Sequence, residues 1–110
     1  MRYPERGEVW LVDLGMAAKI RPCLVISGRI DDVARAVITL VPHTTSTRGT
    51  GFEAAVATHF LKAGAFDAQG LVTVPVNRAI RILGKLTSLQ MQSVEVVVCR
   101  WLELPSSPIA

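Results

Sequence analysis

Four residues in the first half of the chain have side chains suited to phosphate chemistry: Arg21, His43, Thr44 and Thr45. Arg21 precedes Pro22 at the mouth of one apolar run, and the other three follow Val41-Pro42 at the end of another. Attack on a phosphodiester develops negative charge on the nonbridging oxygens, and a fixed guanidinium with hydroxyl donors beside it stabilises that charge. His43 has an unperturbed pKa suited to moving a proton near neutrality. The same residue types admit a plainer account. In it Arg21 is a solvated cation beside a strand, the threonines hold a turn through their hydroxyls, and His43 is structural. Spacing alone leaves both open.

These side chains need a rigid frame. Residues 8–14 and 20–27 are short runs rich in β-formers, punctuated by Gly7, Gly15 and Gly28, and read as neighbouring strands. Pro22 has no N–H to give a ladder, so it is expected at a strand start or an edge. Residues 35–42 form a third strand ended by Pro42, followed by a polar stretch from His43 to Gly51 of the kind that carries function on a rigid scaffold. Residues 52–57, 70–76 and 79–86 add three strands, while 58–66 stays ambiguous. The expectation is a mainly β (α+β) domain with about six mostly antiparallel strands. One helix is expected from about 88 to 102. It opens on the capping box Thr87-x-x-Gln90, and Val94, Val97, Val98, Trp101 and Leu102 form the stripe laid on the sheet. The domain is expected over 1–104, with 105–110 a loose tail.

Composition narrows the classes further. The chain has 110 residues, 50% hydrophobic and 19% charged, which suits one globular core and excludes disorder. No apolar run reaches the roughly 18 residues of a membrane span. The charged start of the chain lacks a signal peptide's apolar segment, so a cytoplasmic location is expected. Cys23 and Cys99 lie in apolar stretches and read as buried reduced thiols. With His43 and His59 they make no zinc-ligand spacing, so no metal and no cofactor is assigned. Net charge is +3, and nine of the twelve basic residues are arginines, which leans toward an anionic partner. So apolar a sheet with a single helix must cover its second face, and pairing of identical copies into a homodimer is the commonest solution.

Four blocks then carry a resemblance: residues 5–14 (Glu-Arg-Gly-Glu-Val-Trp-Leu-Val-Asp-Leu), 21–27 (Arg-Pro-Cys-Leu-Val-Ile-Ser), 41–46 (Val-Pro-His-Thr-Thr-Ser) and 51–53 (Gly-Phe-Glu). In this order they resemble the motifs of the MazF/PemK toxins. The resemblance implies an SH3-like β-barrel with a C-terminal helix and a symmetric homodimer. It also implies sequence-specific, metal-independent cleavage of single-stranded RNA such as mRNA, by a toxin silenced by a cognate antitoxin. The family's phosphate-stabilising arginine falls on Arg21, its catalytic threonine on Thr44, and a further basic position on Arg78. Thr45, Ser46, Arg48 and Lys19 complete the expected RNA-binding set, with His43 beside the catalytic pair. The implied reaction is attack of a ribose 2′-OH on phosphorus, leaving a cyclic phosphate and a 5′-hydroxyl.

Two departures from the family pattern bear on the chemistry. The connection Gly15 to Ile20 is short and has no acid, and Thr73-Val74-Pro75 stands where some members have Arg-x-Asp. No carboxylate is left as an evident general base, and His43 is the nearest substitute for a role that contributes ~10²–10⁴-fold in rate. The competing class is a non-catalytic relative on the same barrel, either a protein-binding toxin of the gyrase-poisoning kind or a dimerisation module. Arg21 beside Thr44 favours RNA.

Overall fold

The computed structural model describes residues 3–15, 19–31 and 34–105. Among these residues, seven strands and one α-helix follow in order: β1 (Glu8–Asp13), β2 (Ile20–Val25), β3 (Val37–Thr44), β4 (Glu53–Ala54), β5 (Ala65–Asp67), β6 (Val72–Pro75), β7 (Ala79–Lys85) and α1 (Ser88–Leu102). Every strand pair is antiparallel. The order across the sheet is β4-β5-β3-β2-β1-β7, with β6 pairing β3 outside that path. β4 and β7 stand at the two ends, so the sheet is open where a closed barrel was expected.

Alternation along the central strands sends side chains into two cores. Val9, Leu24, Val41 and Phe66 face α1, which contributes Val94, Val97 and Val98. Trp10, Val12, Cys23, Val25, Ile38 and Leu40 fill the opposite face, where Val72 and Val74 of β6 pack over them. A sheet buried on both faces positions its strand ends rigidly, and the polar chain between β3 and β4 hangs from such an end.

Pro42 is the pivot of this arrangement. It does not end its strand; it pairs with Cys23 of β2, and the next two residues, His43 and Thr44, pair with Phe66 and Ala65 of β5. A residue without an N–H is tolerated where one ladder gives way to another. Pro22 follows the same logic inside β2: it pairs with Leu11 of β1, and the ladder to β3 starts one residue later at Cys23.

The helix has the expected bounds. Thr87 Oγ1 accepts the Gln90 N–H at 3.2 Å and Gln90 Oε1 accepts the Thr87 N–H at 2.8 Å. The helix stops at Glu103, which takes a left-handed conformation with φ 55°. Its stripe is shorter than expected: Trp101 and Leu102 are exposed at 40% and 43%. Trp101 packs edge-on against Phe52, with ring centroids 5.1 Å apart.

Three other expectations change. β5 begins at the end of the segment that was ambiguous, making seven strands where about six were expected. The run expected over 52–57 pairs only at Glu53 and Ala54. Cys23 is buried, and Cys99 is half-buried. Residues 106–110 of the expected tail, 16–18 of the β1–β2 connection and the first two of the charged N-terminal run lie outside the described residues. Among the described residues, no helix is long and apolar enough to cross a membrane.

Candidate functional site

A cleft of about 590 Å³ opens where β2, β3 and β5 meet. Pro42, Leu71 and Val72 give it an apolar lining, and Arg21, His43, Thr44, Ser46 and Arg48 line it as well. Five of the eight residues singled out in the sequence therefore share one cavity. Arg21 arrives from the exposed start of β2 and Thr44 from the last residue of β3.

The loop after Thr44 is tied down at three points. Thr44 Oγ1 accepts the Ser46 N–H at 3.0 Å, so the turn-holding account of this threonine is correct as far as it goes. A hydroxyl that accepts still carries a proton to donate, and accepting does not remove Thr44 from phosphate contact. The Glu53 carboxylate then receives the N–H groups of Arg48 and Gly49. At the far end the Arg100 guanidinium of α1 donates to the Gly51 carbonyl oxygen.

His43 is 3% exposed. Its ring stands edge-on to Phe66 at 5.1 Å and 74°. Nε2 is buried and has no hydrogen-bond partner among the described residues. Burial holds the imidazole pKa below its ordinary 6.5, so the ring is neutral at physiological pH. Leaving a buried polar atom unpaired costs about 1–3 kcal/mol, and a cost of that kind calls for a functional or structural reason.

The other expected positions lie outside the cleft. Thr45 lines a neighbouring pocket that also includes Arg21 and His43. Lys19, exposed and at φ 59°, closes the β1–β2 connection through its backbone, donating to Gly15 O and accepting from Leu14 N–H, both at 2.8 Å. Arg78 is exposed and pairs with Asp13 at 3.8 Å.

Sequence reasoning missed the acidic side of the cleft. Glu53 and Asp67, paired across β4 and β5, both line it, as does Gln69. Glu53 was visible within the Gly51-Phe52-Glu53 block, but Asp67 belongs to a strand too short to recognise. Asp67 also caps the short 3-10 turn Ala68–Gly70, accepting from Gln69 N–H at 3.0 Å. Among the described residues no three His, Cys, Asp or Glu side chains cluster as a metal site would require.

An open antiparallel sheet, one capped helix and a strand-end cleft lined by Arg21, Thr44 and Arg48 define a small, mainly β protein with a polar cleft. The chain belongs to the PemK-like, MazF-like toxins of type II toxin-antitoxin systems, whose family model matches residues 5–102. It is similar to an endoribonuclease from a Mycobacterial species solved in complex with its cognate antitoxin, with 25% identity, a TM-score of 0.79 and coverage of 93% of this chain and 97% of that one. Another structure of an endoribonuclease from a Mycobacterial species matches at 25% identity and a TM-score of 0.78, covering 96% of each chain. The MazE-MazF structure of Deinococcus radiodurans, at 19% identity, has the same fold, with a TM-score of 0.79 over 96% of this chain and all of that one. No curated protein matches the chain at a significant level.

Proposed function

We propose that this toxin is a sequence-specific, metal-independent endoribonuclease of single-stranded RNA. The observation that carries the reading is the convergence of Arg21, Thr44 and Arg48 on one cleft. The 2′-OH of one ribose attacks the adjacent phosphorus, the bond from phosphorus to the 5′-oxygen breaks, and the products are a 2′,3′-cyclic phosphate and a 5′-hydroxyl. Arg21 neutralises the charge that develops on the nonbridging oxygens, a service worth ~3–4 kcal/mol per donor in comparable oxyanion sites. Thr44 orients the phosphate through its hydroxyl proton. His43, neutral and beside both, takes the proton from the 2′-OH and returns one to the leaving 5′-oxygen. Thr45, Ser46, Arg48, Lys19 and Arg78 contact the strand on either side.

The reading extends to partners. Edge strand β7 exposes Ile80 and Ile82 at 50% and 40%, a surface suited to pairing two copies of the chain. A cognate antitoxin, of the kind bound to the Mycobacterial relative, would silence the toxin by occupying the RNA cleft.

The test is incubation of purified protein with a long single-stranded RNA in EDTA, followed by end mapping. A recurrent cut sequence with 5′-hydroxyl and cyclic phosphate ends is expected. Intact RNA would overturn the proposal and favour a non-catalytic relative on the same fold, and cutting that EDTA abolishes would overturn its metal independence.

A further inference from the structure

Arg21 and His43 belong to two cavities at once. On one side is the polar cleft already described; on the other is a pocket of about 340 Å³ that includes Ile20, Thr45, Phe60, Leu61, Lys62 and Leu83. The two differ in chemistry. The cleft presents Glu53, Asp67 and Gln69, which are hydrogen-bonding groups, whereas the pocket has apolar walls, cations at Arg21 and Lys62, and no acidic residue in its lining.

The aromatic ring of the pocket is held in place before any ligand arrives. Gly84 of β7 lies directly beneath Phe60: a Cβ there would stand 2.5–2.7 Å from three atoms of the ring. β7 therefore has a glycine in its interior where a larger residue would favour the strand, and the glycine lets the ring rest on the backbone. His59 meets Phe60 edge-on at 5.4 Å and 88°. A ring fixed in this way loses little freedom when something stacks on it.

We propose that the Phe60 pocket is a second nucleotide subsite, receiving by stacking the base on one side of the phosphate held at Arg21, while the polar cleft reads the base on the other side by hydrogen bonds. The inference rests on the ribonuclease reading above. Every base has a π-face, so a stacking subsite tolerates any base. Carboxylate and amide groups accept from and donate to particular base edges, so the cleft discriminates. Sequence preference is then strict on one side of the cut and relaxed on the other. Lys62 neutralises the phosphate beyond the stacked base.

The test uses a fluorescent RNA decamer spanning the mapped cut, with 2′-deoxyribose at the attacking position so that it binds without being cleaved. Removing the base on the Phe60 side should weaken binding to the native protein about tenfold, the scale of one aromatic stack. Phe60→Leu should bind the intact decamer about tenfold more weakly and show no further loss with the abasic one. Loss from an abasic site on the other side should be unchanged in that variant. Lys62→Ala should weaken binding to every decamer alike and lower the salt slope by about one. If Phe60→Leu does not fold, the four bases at each flanking position still decide the matter on the native protein: near-equal affinities on one side only are expected. Equal abasic penalties in Phe60→Leu and the native protein, or equal discrimination on both sides, would overturn the subsite and leave the ribonuclease reading standing. Failure of the native protein to cut RNA would remove both.

Discussion

Glu53 holds Arg48 by its backbone: the carboxylate accepts the Arg48 N–H at 3.0 and 3.1 Å, while the guanidinium stays exposed at the cleft. One side chain thereby fixes the loop that carries Ser46 and Arg48 without taking up the charge the loop presents. Glu53→Ala should lower stability by about 1.5–3 kcal/mol, the range for hydrogen bonds to a charged group, measured by chemical denaturation. In cleavage assays it should raise KM several-fold with kcat little changed, because the loop binds RNA and does not react. A collapse of kcat in Glu53→Gln at unchanged KM would make Glu53 the proton acceptor instead.

Arg21→Ala should reduce cleavage by ~10²–10³-fold, the loss seen when one oxyanion donor is removed. The side chain is exposed, so thermal unfolding should match the native protein. Thr44→Ala should do less damage, since the threonine orients the phosphate that Arg21 neutralises. Cleavage at the native rate by Arg21→Ala would move the site elsewhere.

The parts legible in the sequence are those written in local chemistry. The helix start was readable at Thr87 and Gln90 because a capping box satisfies two backbone donors reciprocally and needs no tertiary information. β5 was not, since Ala65, Phe66 and Asp67 are too few to show alternation, and what makes them a strand is the partner edge of β3. Pro42 misled for a related reason: a missing N–H marks the end of one ladder, and only the fold reveals that another begins beside it. Arg21 and Thr44 stood out by residue type at strand ends, and the family resemblance assigned their expected roles. Asp67 lines the same cleft, and Phe60 the neighbouring pocket, from segments that carry no such motif.

Gly64 and Gly28 should respond oppositely to alanine. A Cβ on Gly64 would stand 2.2 Å from the Thr44 carbonyl oxygen and 2.8 Å from His43 Cε1, so backbone must move. Gly64→Ala should cost about 1–3 kcal/mol or more and lower cleavage by displacing Thr44. Gly28 has nothing within 4 Å of its Cβ position, and Gly28→Ala should stay within about 0.5 kcal/mol of the native protein. Thermal melts of the two variants provide the check.

Burial pushes the Cys23 thiol up to about 12, against a weaker opposing effect of Arg21. The thiolate is the reactive form, so Cys23 should resist disulfide reagents at neutral pH while half-buried Cys99 reacts. Titration should give one fast thiol in the native protein and two after denaturation. The raised pKa also stabilises the fold below pH 9.0, and that contribution is lost as pH climbs toward 12. Two fast thiols in the native protein would mean that Cys23 is not enclosed.

His43 links activity and stability through a single proton. Its folded-state pKa is depressed below 6.5 by burial, so the neutral ring is favoured on folding. The sign follows from linkage: the stabilisation is complete above pH 6.5 and is lost as pH falls from there through the folded-state value. Melting temperature should therefore drop on acidification in this window, and His43→Gln should flatten the drop. A general base must be unprotonated, so kcat/KM should rise with pH along a limb centred below 6.5 and be level at neutrality. Loss of that limb in His43→Gln, together with a fall in rate of ~10²-fold or more, is expected for a proton acceptor. If His43→Gln flattens the stability curve and leaves the rate profile intact, the imidazole serves the fold alone, and Arg21 and Thr44 carry the chemistry without it.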